Sequence, residues 1–147
     1  MRRTHKALAA TAVLALGIPA VSASAAGSSF KASVKLGKAT VANGAVTQKG
    51  TFTSQRGNGK ARLVSKGGNG SFDSNMKLTF SNGTLKLKGH TSTSGAADPA
   101  KYSIRGTWKI AGGTGKYRHA TGTISVLGTG INDLSSTKMT LKGSLKT

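Results

Sequence analysis

A strict alternation of apolar and polar residues recurs from residue 30 to residue 145, and it constrains the fold more than any other feature of the chain. Period-two alternation is typical of strands that bury one face and expose the other. Apart from the amino-terminal segment, the chain shows no helical spacing. The pattern predicts an all-β domain of about eight antiparallel strands joined by short connections. The clear runs are 30–36, 46–52, 76–80, 85–89, 102–110, 124–128 and 139–145, with 60–66 as a weaker candidate.

Two all-β architectures fit this number of strands, a closed barrel and a two-layer sandwich. We favour the barrel, because closure removes the exposed sheet edges through which secreted β-proteins aggregate. Composition alone would favour disorder, since large apolar residues are few and the formal net charge is +19. The regular alternation argues against disorder, because disordered segments keep no such period.

Four Asn-Gly pairs punctuate the candidate strands, at 43–44, 58–59, 69–70 and 82–83. Asn-Gly favours type I′ hairpin turns, in which both central residues need positive φ. The pair Asn82-Gly83 predicts a two-residue loop that places Phe80 opposite Leu85, and Lys77 opposite Lys88. Like charges that face each other across strands are destabilising, so such a pairing calls for an explanation.

The amino terminus has the pattern of a secretory signal peptide. Basic residues (Arg2, Arg3) precede an apolar run over residues 7–21, and Ala23-Ser24-Ala25 supplies the small residues of a cleavage site. A membrane anchor is the alternative, but a spanning helix needs about 20 apolar residues and this run is shorter. We predict cleavage after Ala25, a single barrel domain over residues 26–147, and a secreted, extracellular protein.

Charge is the second dominant feature, with 22 Lys+Arg against 3 Asp+Glu and no Cys. The basic residues occupy outward positions on nearly every strand, where they would attract anionic polymers or an anionic cell-envelope surface. Specific nucleic-acid recognition is disfavoured, because no stacking aromatics are interleaved with the basic residues. Lysines on the outward faces also argue against a membrane-spanning barrel. The candidate polyanion-binding residues are Lys77, Lys86, Lys88, Arg105 and Lys109.

Four glycines occupy inward positions where an apolar side chain is expected: Gly50, Gly89, Gly106 and Gly143. They either let the strands coil tightly or leave volume for a small-molecule ligand inside the barrel. Polar and aromatic residues on the same inward faces would orient such a ligand. The candidate cavity residues are Gln48, Ser74, Tyr102, Trp108 and Tyr117.

The segment Gly112-Gly113-Thr114-Gly115-Lys116-Tyr117, followed by Ala120-Thr121-Gly122, resembles a motif of dirigent proteins and allene-oxide-cyclase-like barrels. The hairpin over residues 78–85 is similar to that of secreted actinobacterial members. The resemblance covers roughly residues 70–130 and implies an eight-stranded antiparallel barrel with an apolar cavity, often as a homo-oligomer. From the residues themselves, Gly112, Gly113, Thr114 and Gly115 predict a tight turn. A phosphate loop is excluded, since the GxxxxGK spacing and a following helix are both missing.

Catalysis has little support in the sequence. Alternation directs Asp73 outward, while Asp98 and Asp133 fall in loops, and His90 and His119 have no orienting carboxylate. We therefore assign no catalytic residue, no metal site and no cofactor. The sequence favours a non-catalytic secreted barrel that binds anionic surfaces or polymers. The alternative is a protein that binds an apolar or phenolic small molecule, with dirigent-like stereo-directing or cyclase-like activity.

Overall fold

The computed structural model of the protein describes residues 27–147, and the predicted signal peptide therefore lies outside the described residues. Nine strands and one 3₁₀ turn make up this part of the chain. The strands are β1 (Ser28–Leu36), β2 (Thr40–Ala42), β3 (Ala45–Ser54), β4 (Gly57–Gly68), β5 (Ser71–Phe80), β6 (Gly83–Gly95), β7 (Lys101–Gly113), β8 (Thr123–Ile131) and β9 (Thr137–Leu145), and the 3₁₀ turn is Gly115–Tyr117.

The strands form one continuous antiparallel sheet in the order β1-β9-β8-β7-β6-β5-β4-β3-β2. The sheet closes because β1 also pairs with β3, with Val34 opposite Phe52. The short strand β2 pairs with the first residues of β3, so that Val41 lies opposite Val46. The chain is thus a closed eight-stranded barrel with one extra strand, which confirms the predicted fold class.

The β5–β6 hairpin corrects the predicted register. Phe80 pairs with Gly83, so the loop residues are Ser81 and Asn82, and Lys77 lies opposite Lys86 instead of Lys88. The segment after β7 holds the residues on both sides of Gly83 in this register, because the Lys116 amide donates to the Asn82 carbonyl and the Thr114 amide to the Thr84 carbonyl. A Cβ on Gly83 would collide with the Thr114 carbonyl. The shift is two residues, so every side chain keeps its predicted face.

Two of the four Asn-Gly pairs form the predicted turns. Asn43-Gly44 and Asn69-Gly70 have positive φ at both residues, 52° and 71° in the first pair and 53° and 78° in the second. Asn58-Gly59 instead lies within β4, with Asn58 opposite Thr53. Gly59 is needed in the strand itself, because a Cβ there would collide with the carbonyl of Thr79 on β5.

The inward glycines serve close strand packing. A Cβ on Gly50 would collide with the Lys35 carbonyl of β1, and one on Gly89 would come within 2.6 Å of the Thr107 carbonyl on β7. Gly106 and Gly143 meet neighbouring backbone in the same way. Of the two interpretations of these glycines, the structure supports tight coiling of the barrel.

The two ends of the barrel are filled differently. The closed end carries the β3–β4 and β5–β6 hairpins and the 3₁₀ turn, and its core is aromatic. The rings of Phe52 and Phe80 lie 4.7 Å apart between centroids, and Tyr117 packs on Phe80 at the same distance. The cavity end carries the β4–β5, β6–β7 and β8–β9 connections, and the inner walls do not meet there.

Candidate functional site

The interior at the cavity end holds a pocket of about 240 Å³. Four of the five predicted cavity residues line it, which brings residues from β3, β5 and β7 together. Its walls are mostly apolar, with a polar band formed by hydroxyl and amide side chains. The lining residues are Val46, Gln48, Leu63, Ser65, Phe72, Ser74, Thr91, Thr93, Tyr102, Ile104, Trp108, Asn132, Leu134, Thr137 and Met139.

Tyr117 is the predicted cavity residue that the structure places elsewhere. The 3₁₀ turn folds over the closed end, where the Lys116 amide donates to the Asn82 carbonyl at 3.1 Å and holds the turn on the β5–β6 hairpin. Tyr117 is fully buried there against Phe80. Its hydroxyl has no hydrogen-bond partner among the described residues, and burial raises the pKa of this phenol.

A row of hydrogen-bonded side chains crosses four adjacent strands on the cavity wall. The indole Nε1–H of Trp108 donates to Thr91 Oγ1 at 3.2 Å, and the Thr91 hydroxyl donates to Ser74 Oγ at 2.8 Å. Ser74 Oγ in turn lies 2.9 Å from Ser65 Oγ. We call these four residues, Trp108, Thr91, Ser74 and Ser65, the hydroxyl row.

A second polar group lies on the wall formed by β3 and β9. The Gln48 side-chain amide donates to Thr137 Oγ1 and to the Gly37 carbonyl, both at 3.0 Å. The Thr137 hydroxyl lies 3.3 Å from Gln48 Oε1, to which it donates. Both side chains are buried. Buried polar groups are normally paired in this way, because an unpaired one is costly.

Two aromatic residues of the cavity lie on glycines of neighbouring strands. The Trp108 ring covers Gly89 on β6, where a Cβ would come within 2.5 Å of Cδ1. The Tyr102 ring covers Gly130 on β8, and it would collide with any Cβ there. These glycines therefore position the aromatic rings instead of enlarging the cavity.

Four buried or half-buried polar residues of the site were not predicted from the sequence, namely Ser65, Thr91, Thr93 and Thr137. The signal that could have found them was the alternation itself. Continuing the inward face of β6 past Gly89 reaches Thr91, and extending β9 before Met139 reaches Thr137. In both runs, the apolar residues that mark the strand give way to hydroxyl residues at these positions.

The glycine motif that begins at the end of β7 forms the predicted turn. Gly112 and Gly115 have positive φ, 78° and 58°. Gly113 lies so close to the Thr84 carbonyl that a Cβ would collide with it. The Thr114 hydroxyl lies 2.8 Å from that of Thr84 and anchors the turn on β6.

The outward basic residues form a row of their own. Lys49 on β3 pairs in register with Arg62 on β4, Arg62 with Lys77 on β5, and Lys77 with Lys86 on β6. We call these four exposed residues the basic row. At a strand spacing of ~4.8 Å, the row spans roughly 15 Å. Its members Arg62, Lys77 and Lys86 line a shallow groove on the outer surface.

Four of the five predicted polyanion residues lie in or next to one patch around this groove. Lys77 and Lys86 belong to the basic row, and Lys88 lines the same groove. Lys109 lies opposite Lys88 on β7. Arg105 is separate from the patch, because its partners in register are Ser92 and Leu127.

The acidic residues lie near the cavity end and point away from the cavity. The Asp73 side chain is 88% exposed and lies 3.6 Å from His90 Nδ1. The expectation that His90 has no neighbouring carboxylate is therefore wrong. Hydrogen bonds from the Ala100 amide and Lys101 lower the pKa of Asp98, and hydrogen bonds from Ser135 lower the pKa of Asp133. Of the residues that line the cavity, none is a carboxylate, a histidine or a cation.

Comparisons of the chain with protein-family models, curated proteins and solved structures find no match. The resemblance to dirigent and allene-oxide-cyclase-like barrels therefore rests on the motif over residues 112–122 and the hairpin, and it stays a prediction. Within residues 27–147, no helix is long and apolar enough to cross a bilayer.

Proposed function

We propose that the protein is a secreted binding protein for anionic polymers, and that the basic row is its binding surface. The observation that carries the proposal is the register of Lys49, Arg62, Lys77 and Lys86 on four adjacent strands. Like charges directly opposite each other in a sheet are destabilising. A surface that accumulates them is explained by a polyanion that neutralises them when bound.

The acidic residues of the described chain leave the basic row available for a ligand. Within the described part of the chain, acidic side chains lie within 4 Å of basic ones at Asp73–His90 and Asp98–Lys101, and neither contact involves the basic row. The cations of the row are therefore free to meet phosphate or carboxylate groups of a polymer. A polymer laid across the strands would meet a cation about every 4.8 Å.

A matched pair of variants tests the surface. One replaces Lys49, Arg62, Lys77 and Lys86 by Gln. The other replaces four exposed cations outside the row by Gln, namely Lys38, Lys66, Arg105 and Lys146. Both variants lose four positive charges, so only the arrangement differs between them.

Binding to immobilised polyphosphate and to poly-glutamate is measured from 25 to 300 mM salt. We expect the row variant to bind at least tenfold more weakly at low salt, and the dispersed variant less than threefold more weakly. Binding by the unaltered protein should fall steeply with salt, because exposed charges are screened. Equal losses in the two variants, or binding that salt does not change, would contradict the proposal. A preference between the two polymers identifies phosphate or carboxylate as the favoured group.

Secretion is part of the proposal and has its own test. Residues 1–25 carry the charged, apolar and small-residue regions of a signal peptide. Mass spectrometry of the protein from culture medium should give a chain that begins at Ala26. An uncleaved chain retained in the cells would contradict it.

A further inference from the structure

The two polar groups of the cavity wall differ in whether their hydrogen bonds are complete. In the Gln48–Thr137 pair, both amide hydrogens and the hydroxyl hydrogen have acceptors within the protein. This pair therefore offers no free donor to a ligand.

The hydroxyl row is incomplete by count. It has four donor groups, the indole N–H of Trp108 and the hydroxyls of Thr91, Ser74 and Ser65, and it makes three hydrogen bonds. Because each bond uses one hydrogen, one hydroxyl hydrogen at the Ser74–Ser65 end has no acceptor among residues 27–147. Both serines line the cavity, so this hydrogen is available to a molecule inside it.

The cavity also restricts the charge and size of a ligand. Its lining contains no charged side chain, and an ionised group is costly to bury without a partner. The volume is about 240 Å³. A cavity of about 150 Å³ accommodates benzene, so in proportion this one accommodates about ten non-hydrogen atoms.

We infer that the cavity binds an uncharged, mainly apolar molecule of about ten non-hydrogen atoms that carries one hydrogen-bond acceptor, such as a carbonyl or ether oxygen. The oxygen accepts the free hydroxyl hydrogen at the Ser74–Ser65 end, and the apolar body packs against Leu63, Ile104 and Met139. This site is separate from the basic row, since it lies inside the barrel. Its ligand class does not depend on the polymer-binding proposal.

Three probes of similar size test the ligand class: cyclooctanone, cyclooctane and cyclooctanecarboxylate. Trp108 is the one Trp of the chain, so its indole N–H gives a single NMR resonance in ¹⁵N-labelled protein. When a ligand oxygen accepts the free hydroxyl hydrogen at the serine end, the hydrogen bonds of the hydroxyl row become more polarised. The indole N–H resonance of Trp108 therefore shifts.

We expect cyclooctanone to shift the Trp108 resonance saturably, and cyclooctane to bind at least fivefold more weakly. Cyclooctanecarboxylate should cause no saturable shift. Failure of the ketone to bind, or a carboxylate that binds as tightly as the ketone, would overturn the inference. Equal affinities for ketone and hydrocarbon would overturn the role of the hydroxyl hydrogen.

Variants locate the acceptor contact. Replacing Ser65 and Ser74 together by Ala removes both hydroxyls of this end and should lower cyclooctanone affinity at least fivefold while leaving cyclooctane affinity unchanged. Ser125→Ala on the outer face of β8 should change neither affinity. Replacing Ser65 and Ser74 together by Cys keeps weak donors and should give an intermediate ketone affinity, which provides a second measurement should the alanine variant not fold. The same ketone affinity in all four proteins would show that the row does not receive the ligand.

Discussion

The closed end and the cavity end of the barrel are built from the same alternating strands, yet they bury different chemistry. Phe52, Phe80 and Tyr117 come from three separate segments and fill the closed end. At the cavity end, inward positions of the same strands carry Gln, Ser and Thr, and the four buried polar residues of the described chain all lie there. Period two decides which side chains face inward, and the size of those side chains decides whether the walls meet.

The largest expected effect is a difference in stability loss between two variants, each of which replaces one aromatic residue by Ala at one end of the barrel. Phe80→Ala removes a buried ring that contacts both Phe52 and Tyr117, and it should lower the free energy of unfolding by about 4 kcal/mol. Phe72→Ala removes a half-buried ring at the cavity, where fewer atoms surround it. Denaturant unfolding should show less than half the loss for Phe72→Ala. Equal losses would mean that the two ends are packed alike.

The second prediction concerns the glycine beneath Trp108. Gly89→Ala adds a Cβ within 2.5 Å of the indole Cδ1 and 2.6 Å of the Thr107 carbonyl. Overpacking of this kind should lower the free energy of unfolding by about 2–3 kcal/mol and displace the Trp108 ring. Gly95→Ala on the same strand is the control, because a Cβ there has no atom within 4 Å. A stable Gly89→Ala protein with unchanged Trp108 fluorescence would show that the ring does not depend on this glycine.

The third prediction tests the closed polar pair of the cavity end. Thr137→Val keeps the side-chain volume but removes the hydroxyl that partners Gln48. Gln48 then keeps only its bond to the Gly37 carbonyl, and the free energy of unfolding should fall by about 1–2 kcal/mol. Thr129→Val, on the exposed outer face of β8, should change it by less than about 0.5 kcal/mol. An unchanged free energy of unfolding in Thr137→Val would show that water replaces the Thr137 hydroxyl as a hydrogen-bond partner of Gln48.

Much of this architecture could be predicted from the sequence, because alternation determines the face of each residue whatever the register. Gln48, Ser74, Tyr102 and Trp108 were placed correctly on that basis. Register was harder to predict, since Asn82-Gly83 has the composition of a type I′ turn while Gly83 is held in β6 by contact with Thr114. Gly83 and Thr114 are 31 positions apart in the chain, so the sequence around Asn82-Gly83 does not indicate their contact.

The position of Tyr117 was predicted wrongly for the same reason. A substitution of this residue is expected to give the smallest effect on stability. Alternation does not extend through the glycine turn, so nothing local shows that this ring covers the closed end. Its buried hydroxyl has no partner among the described residues. Tyr117→Phe removes that hydroxyl and retains the ring on Phe80, so near neutral pH it should leave stability unchanged or raise it by up to about 1 kcal/mol.

The difference between Tyr117→Phe and the unaltered protein should grow at high pH. Burial raises the pKa of Tyr117 above its ordinary value of 10.0, so the folded protein resists ionisation of a phenol that the unfolded chain ionises freely. Below pH 10 the phenol is neutral in both states and contributes no pH dependence. As the pH rises above 10, the unfolded state of the unaltered protein is favoured and its stability falls. The stability of Tyr117→Phe should not fall in this way, because the phenol is absent. Tyr102→Phe, at the cavity end, keeps Tyr117 and should lose stability as the unaltered protein does. Parallel stability curves for all three proteins between pH 9 and 11.5 would mean that the Tyr117 hydroxyl reaches water, and that the closed end is less well sealed than its aromatic packing indicates.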